Sequence, residues 1–258
     1  MTVVITGASS GIGKATAEAF VGAGHSVYSF SRTKCGVDGV VTVPCDITDS
    51  EQVKSAIGKI SEIDILINNA GFGISGAVEF TEMSEMKGQF ELNFIATVAV
   101  TREAMPKLKA SHGKVIFISS AASVFSIPFQ SFYSATKSAV ESVAFALKNE
   151  LKAFHVQVGV IRLGDIKTNF TAKRQKSFKG DDVYGGMISR SVAVMEHDEQ
   201  NGMSPATVGK AVLKVATKKK LKLVTTVGAQ YKFLCALSKI LPQSLVNTVV
   251  GAMYMPKK

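Results

Sequence analysis

The 258-residue sequence predicts an α/β fold, a doubly wound parallel sheet of about seven strands with helices on both faces. Three observations carry this expectation. Short apolar runs alternate with helix-period segments along the chain. Runs such as Val3-Val4-Ile5 and Val115-Ile116-Phe117-Ile118 are continuously apolar, as strands covered on both faces must be. The composition, 46% hydrophobic and 19% charged, is that of a globular chain able to bury a full core. No repeat or low-complexity tract interrupts it.

Taken in order, Thr2-Val3-Val4-Ile5-Thr6 reads as the first strand, followed by a helix from about Gly11 to Ala23 and a second strand at Ser26-Val27-Tyr28-Ser29-Phe30. Gly39 to Val43 is the third strand, about Ser50 to Ile60 a helix, and Ile63-Asp64-Ile65-Leu66-Ile67 the fourth strand. A long helix is expected from about Ser84 to Ala110, with Phe90, Phe94, Val98, Met105 and Leu108 at near-helical spacing. Lys114 to Ile118 is the fifth strand, Phe132 to Phe154 a helix and Val156 to Ile161 the sixth strand. Pro205 opens another helix, and Leu221 to Thr226 is the last strand. This order is Rossmann-like and is read as one domain over residues 1–258. Residues 169–204 break the rhythm. They are rich in Lys, Gly and Asp, with Phe170, Phe178, Tyr184, Met187, Met195 and Met203 interspersed. An irregular insertion beyond a strand's carboxyl end is expected to act as a lid.

The formal charge is +10, concentrated in Lys173-Arg174-Gln175-Lys176, in Lys214 to Lys222 and in the Lys257-Lys258 tail. A solvated surface accounts for such runs, and the sharper reading is attraction to an anionic partner: an acidic carrier protein, a phosphorylated ligand or a lipid surface. No nucleic-acid motif accompanies the charge, so no nucleic-acid partner is expected. Cys35, Cys45 and Cys235 lack metal-ligand spacing and suit reduced thiols in a cytoplasmic setting. His25, His112, His155 and His197 are scattered, so no metal site is expected. A strand starting at Thr2 leaves no targeting peptide to expect. The uncharged stretch from Ile240 to Pro256 is too polar and broken for a spanning helix, but can lie on a membrane surface or close a subunit contact.

Tyr133 and Lys137, four residues apart, share one face of their helix. A fixed cation lowers a phenol's pKa and lets it exchange protons near neutral pH. Alone, this spacing is common. It gains meaning from Thr6-Gly7-Ala8-Ser9-Ser10-Gly11-Ile12-Gly13, which follows the first strand and opens the first helix. Its glycines allow a tight turn and close approach of the backbone to a pyrophosphate at the helix N-terminus.

With Asn68-Asn69-Ala70-Gly71 after the fourth strand, Asn93 in the long helix and Ser119-Ser120 after the fifth, the sequence from Thr2 to about Thr168 resembles the short-chain dehydrogenase/reductase family. The resemblance implies hydride transfer between a nicotinamide cofactor, bound mainly by residues 1–137, and a carbonyl or alcohol. It makes Ser120, thirteen residues before Tyr133, the donor that polarises the substrate oxygen, and Tyr133 the general acid of reduction. Lys137 lowers the phenol's pKa and holds the nicotinamide ribose, Asn93 anchors a proton-relaying water chain, and Ser119 is structural. Negative charge growing on the carbonyl oxygen would meet two hydroxyl donors, with no metal required.

The resemblance also implies a cofactor surface formed by Gly7, Ser9, Ser10, Gly11, Ile12 and Gly13, by Ser31 and Arg32, and by Asp46 and Ile47 at the adenine. Asn69, Ala70 and Gly71, the catalytic Asn93, Tyr133 and Lys137, and Gly164, Ile166 and Thr168 complete it. Ser31-Arg32-Thr33 stands where an acid would bind ribose hydroxyls, and Arg32 can pair with a 2′-phosphate, so NADP(H) is expected over NAD(H). Leu163-Gly164-Asp165 replaces the family's Pro-Gly, which predicts a freer loop with a carboxylate near the nicotinamide edge.

Val227 to Lys232 and Leu241 to Leu245 are similar to the tail of the 17β-hydroxysteroid dehydrogenase-like and acyl-dihydroxyacetone-phosphate reductase-like branch. That branch implies a lipophilic ketone, such as a steroid or acyl-lipid derivative. The alternatives are a 3-oxoacyl-carrier-protein reductase and an NADP(H)-sensing regulator without turnover. The family further implies a homodimer or homotetramer formed through the Ser84–Ala110 and Phe132–Phe154 helices.

Overall fold

Continuously apolar segments can be buried only where both faces of a sheet are covered, and the computed structural model, which describes residues 1–255, places them so. Seven parallel strands form one sheet: β1 (Thr2–Thr6), β2 (Ser26–Ser31), β3 (Val40–Pro44), β4 (Ile65–Asn68), β6 (Lys114–Ser120), β7 (Gln157–Leu163) and β9 (Val224–Thr226). Their order is β3-β2-β1-β4-β6-β7-β9, so the direction of winding reverses between β1 and β4. At such a switch point the carboxyl ends of the strands open a crevice.

Helices α1 (Gly11–Gly22) and α8 (Pro205–Ala216) cover one face, over a core that includes Ile5, Phe20, Ile67, Ile161 and Val212. A Cβ at Gly209 would lie 2.3 Å from the Ala15 carbonyl oxygen, so α1 and α8 meet almost backbone to backbone. On the other face, α2 (Ser50–Gly58), α4 (Ala96–Ala110) and α5 (Ser131–Glu150) enclose Val53, Leu66, Val100, Leu108, Phe117 and Val140. The Asp49 carboxylate caps α2 by accepting from Glu51 and Gln52 N–H.

Three expectations are corrected. The continuous helix from Ser84 to Ala110 is α3 (Met83–Phe90) and α4 separated by one π turn, Glu91–Ile95, which carries Asn93. Gly39 adopts φ +83°, a turn conformation, so β3 starts one residue later. Residues 169–204 are largely regular: α6 (Phe170–Lys173), β8 (Gln175–Lys176) and α7 (Met187–Gln200). Strand β8 pairs with β5 (Ile74–Ser75), tying this segment to the loop after β4. Helix α7 buries Ile188, Val192 and Met195 against Ala77.

Beyond β9 lie two helices that the sequence pattern did not reveal, α9 (Ala229–Leu237) and α10 (Gln243–Tyr254). Among the described residues, no helix is long and apolar enough to cross a membrane. Lys257 and Lys258 of the basic tail lie outside the described residues.

Candidate active site

The glycine turn between β1 and α1 is built by steric necessity. Gly7 and Gly11 have φ of +69° and +54°, in the region L side chains avoid. A Cβ at Gly13 would fall 2.4 Å from the Gly7 carbonyl oxygen and 2.5 Å from the Asn69 Nδ2. The turn is braced from behind. Thr6 Oγ1 accepts from the N–H groups of Asn69 (2.9 Å) and Ala70 (3.0 Å), and Asn69 Nδ2 donates to the Thr6 and Gly7 carbonyls at 2.9 and 3.3 Å. The Asn69 side chain therefore serves the turn. Ser10 makes no side-chain cap on α1, and the first turn of α1 holds no acid. This cradle, with its exposed helix N-terminus, fits a pyrophosphate.

At the end of β2, Arg32 is exposed, while Ser31 is buried and donates to the Thr33 carbonyl at 2.8 Å. Asp46 accepts from both the N–H and the hydroxyl of Thr48, which hold its carboxyl below the usual range, with Arg32 adding to the effect. Arg32 is thus close enough to act on Asp46, and Ile47 beside Asp46 is buried.

Asn93 is buried, and its carboxamide is fixed by the backbone of Phe72: Oδ1 accepts from Phe72 N–H at 3.0 Å and Nδ2 donates to Phe72 O at 2.9 Å. Nδ2 also reaches Thr136 Oγ1 at 3.2 Å, joining the π turn to α5. A Cβ at Gly71 would lie 3.1 Å from Asn93 Oδ1 and 3.7 Å from Lys137 Nζ. The loop after β4 therefore packs directly on Asn93 and Lys137.

Lys137 is buried and donates to the Ile118 carbonyl at 3.0 Å, and burial lowers its pKa to about 8. Its Nζ is 5.7 Å from the centre of the Tyr133 ring. Tyr133 is half-buried as a residue, but its hydroxyl lies deep in the cleft, and burial pushes its pKa up to about 12. A hydrogen bond from Ser120 works in the opposite sense. Burial thus raises the phenol where the sequence reading expects Lys137 to lower it, and the Lys137 ammonium donates to the Ile118 carbonyl.

Ser119 faces away, donating to Glu141 at 2.8 Å. The buried Glu141 also accepts from Ser123 Oγ at 2.6 Å and forms a two-pronged pair with Arg162. This network joins α5, β6 and β7 beneath the site, and the sequence reading missed all of it but Ser119. Glu141 does stand four residues after Lys137, so its face was legible; Arg162, on a strand, carried no such signal.

The loop after β7 is not freer for lacking proline. Ile166 bridges to Met203, Met203 N–H donates to Asp165 O at 2.9 Å, and Lys167 N–H donates to Met203 O at 3.0 Å. The Tyr231 ring of α9 lies over Gly164, where a Cβ would sit 1.9 Å from it, and the Tyr231 hydroxyl donates to Asp165. Asp165 is pushed up to about 6, first by burial, then by Glu199 and Asp198, with the Tyr231 hydrogen bond opposing. Thr168 sits beside the glycine turn, 3.7 Å from where a Gly11 Cβ would be, and accepts from Phe170 N–H.

Within the basic run at Lys173 to Lys176, Lys173, Gln175 and Lys176 are exposed, and Arg174 departs from the solvated reading. Arg174 is buried, pairs with Glu199, and leaves its Nε and Nη1 without partners, while Lys176 pairs with Glu196. Phe170 stacks at 5.7 Å on Tyr133. Arg174, Glu199 and Tyr231 come from different parts of the chain; the sequence reading placed Arg174 in a basic run and Tyr231 in the tail resemblance without a role here, and passed over Glu199.

Two spaces meet here. A cleft of about 120 Å³ is lined by Gly71, Ser120, Tyr133, Lys137, Ile166 and Phe170, among others. A larger cavity of about 540 Å³, mainly apolar, runs beneath α9 and α10, between Leu234, Leu237, Leu241, Val246 and Val250. Ser120, Gly164 and Asp165 line both.

A parallel sheet with its glycine cradle at the switch point and a Ser-Tyr-Lys set at the strand ends defines a nicotinamide-dependent oxidoreductase, and the chain belongs to the short-chain dehydrogenase/reductase family. The profile described as short chain dehydrogenase matches residues 1–178. The chain is 38% identical to a 3-ketodihydrosphingosine reductase of Bacteroides thetaiotaomicron, over 98% of this chain and 97% of that one. It is 30% identical to an NADPH-dependent 3-dehydrocapnine reductase of Ornithobacterium rhinotracheale, over 95% and 94% of the two chains. A short-chain dehydrogenase structure from Streptomyces avermitilis superposes with a TM-score of 0.82 at 26% identity, covering 97% of this chain and 95% of that one.

Proposed function

We propose that the protein is an NADP(H)-dependent ketone reductase acting on a lipophilic carbonyl compound, such as a steroid or acyl-lipid derivative. The observation that carries this reading is the junction at Ser120: the small cleft and the larger apolar cavity share it, so a substrate oxygen beside Ser120 and Tyr133 would leave an apolar tail under α9 and α10. Two relatives whose names are those of keto-lipid reductases agree with it. NADP(H) rests on the exposed Arg32 with no acid in Ser31-Arg32-Thr33, and one of those relatives is named as NADPH-dependent.

In this reading the glycine turn holds the pyrophosphate, Arg32 the 2′-phosphate, and Asp46 with Ile47 the adenine. Gly164, Ile166 and Thr168 line the nicotinamide pocket. When bound, the cofactor supplies hydride to the carbonyl carbon. Ser120 holds the carbonyl oxygen and Tyr133 gives it a proton; a phenol pushed up to about 12 keeps that proton throughout the neutral range, which suits reduction. Lys137 holds the ribose as an ammonium below its pKa of about 8. Asn93, locked by Phe72, keeps the π turn in place to anchor the proton-relaying water chain. Residues 169–204 act as the lid, with Phe170 closing on Tyr133, and the working unit is a homodimer or homotetramer.

The test is NADPH consumption against long-chain ketones, small soluble ketones and 3-oxoacyl carriers. Tyr133→Phe should cost at least about a hundredfold in kcat. Arg32→Asp should move the kcat/KM preference towards NADH. A preference left unchanged would remove the NADP(H) assignment, and oxidation of NADPH only with carrier-bound substrates would favour the carrier-protein reading.

A further inference from the structure

The chain's entire charge excess lies in its last quarter. Residues 201–258 contain ten lysines and no aspartate or glutamate, whereas the first 200 residues hold twenty basic and twenty acidic side chains. Lys218, Lys219, Lys220 and Lys222 lie at the far end of the sheet from the cleft, since Lys114 at the start of β6 donates to the Ala216 and Lys218 carbonyls. Lys232 and Lys239 are different: Lys232 lies on α9 and Lys239 just beyond it, both exposed and next in sequence to the cavity-lining Tyr231 and Ser238.

The segment that carries those two lysines also exposes large apolar side chains among polar ones. Phe233 is 66% exposed, Ile240 79% and Leu245 46%, values unusual for side chains of that size. On α10, Leu245, Val249 and Met253 are about half-exposed at four-residue steps, Val249 and Met253 at the rim of the cavity, while Val246 and Val250 are buried in its wall. On α9, Phe233 is exposed while Cys235 is buried, and Ile240 is exposed in the turn between α9 and α10. The same two helices wall the 540 Å³ cavity through Leu234, Leu237 and Val246.

We propose that α9 and α10 form a docking face for an anionic lipid bilayer, and that an apolar ligand enters the cavity between them from that bilayer. The chemistry of the patch selects this occupant. A two-fold contact with a second copy would bring Lys232 and Lys239 of both chains together with no carboxylate on either helix to pair them. A bilayer takes the apolar side chains into its headgroup boundary and sets the lysines against phosphates, with no acid to repel. The distant lysines add long-range attraction, which salt screens. This inference goes beyond the reductase reading and does not depend on which ketone is reduced.

The experiment is co-sedimentation of the full chain with vesicles of phosphatidylcholine alone and of phosphatidylcholine mixed with phosphatidylglycerol, at low and high salt. Binding is expected to the anionic vesicles, weakening in salt. The triple variant Phe233→Ser, Ile240→Ser, Leu245→Ser should weaken it by about tenfold or more. Lys232→Glu with Lys239→Glu should abolish the preference for anionic lipid. None of these five residues lines the cavity, so thermal melting and NADPH binding by fluorescence should match the parent chain, which separates a lost surface from a lost fold and from a failed cofactor assignment. Absence of binding to anionic vesicles at low salt would overturn the proposal. So would a triple variant that sediments like the parent, or one whose only change is the dissociation of a dimer.

Discussion

Replacing Tyr231 with phenylalanine keeps the ring that fills the space over Gly164 and removes only the hydroxyl that donates to Asp165. The Asp165 carboxyl is already pushed up from 3.8 to about 6 by burial and by Glu199 and Asp198, and the Tyr231 hydrogen bond is what opposes the rise. Without it the folded-state pKa moves higher still. A folded pKa above the unfolded value means the native state binds the proton more tightly, so stability falls as pH rises from about 4 through 6 and the burial cost is complete above that. At pH 8 the Tyr231→Phe chain must hold a charged, half-buried carboxylate without its donor, a loss of about 1–3 kcal/mol. For a chain of this size that corresponds to a fall of about 3–10 °C in Tm. At pH 5 the carboxyl is protonated in both proteins and the difference should shrink to a small fraction of that. Thermal melts at both pH values, in the parent and in an Asp165→Asn background, measure it. An equal loss at pH 5 and pH 8, or an undiminished loss in the Asp165→Asn background, would refute the coupling.

Gly13→Ala places a methyl group 2.4 Å from the Gly7 carbonyl oxygen, and because backbone cannot yield there, NADPH affinity measured by fluorescence should fall at least about tenfold while the melt shows a fold still present. Glu141→Ala leaves a half-buried Arg162 without its carboxylate and strips Ser119 and Ser123 of their acceptor; a loss of about 3 kcal/mol, the low end for a broken buried pair, is expected in urea unfolding, against a small loss if the network were solvated. Above its pKa of about 8, Lys137 loses its charge, so kcat/KM for reduction should decline by one proton's dependence above pH 8; a profile flat to pH 10 would show that the ammonium is not required.

Much of the site was legible because the family's chemistry depends on local constraints. A turn that brings backbone against a phosphate needs glycine at fixed steps, and Gly7, Gly11 and Gly13 show the reason in φ and in clearance. Tyr133 and Lys137 share one turn of helix, so their proximity is a property of α5 alone. What was read wrongly depended on long-range partners. The π turn at Asn93 exists because the Phe72 backbone captures a carboxamide from a residue 21 positions away. Arg174 looked like part of a solvated run and is buried because Glu199, on α7, meets it.

Alternating apolar runs and helical periods determined a parallel sheet wound on both faces, and the glycine, Ser120 and Tyr133/Lys137 motifs determined the kind of chemistry at its strand ends. Those signals are local, set by sterics and by spacings of a few residues. The tertiary structure decided what surrounds that chemistry: a phenol raised by its burial, and a loop held by Met203 and Tyr231 where proline was missing. It also decided that α9 and α10 fold back to roof an apolar cavity while leaving Phe233 and Ile240 bare. Burial and electrostatic environment arise from chain segments far apart in sequence, so they are settled only once those segments meet.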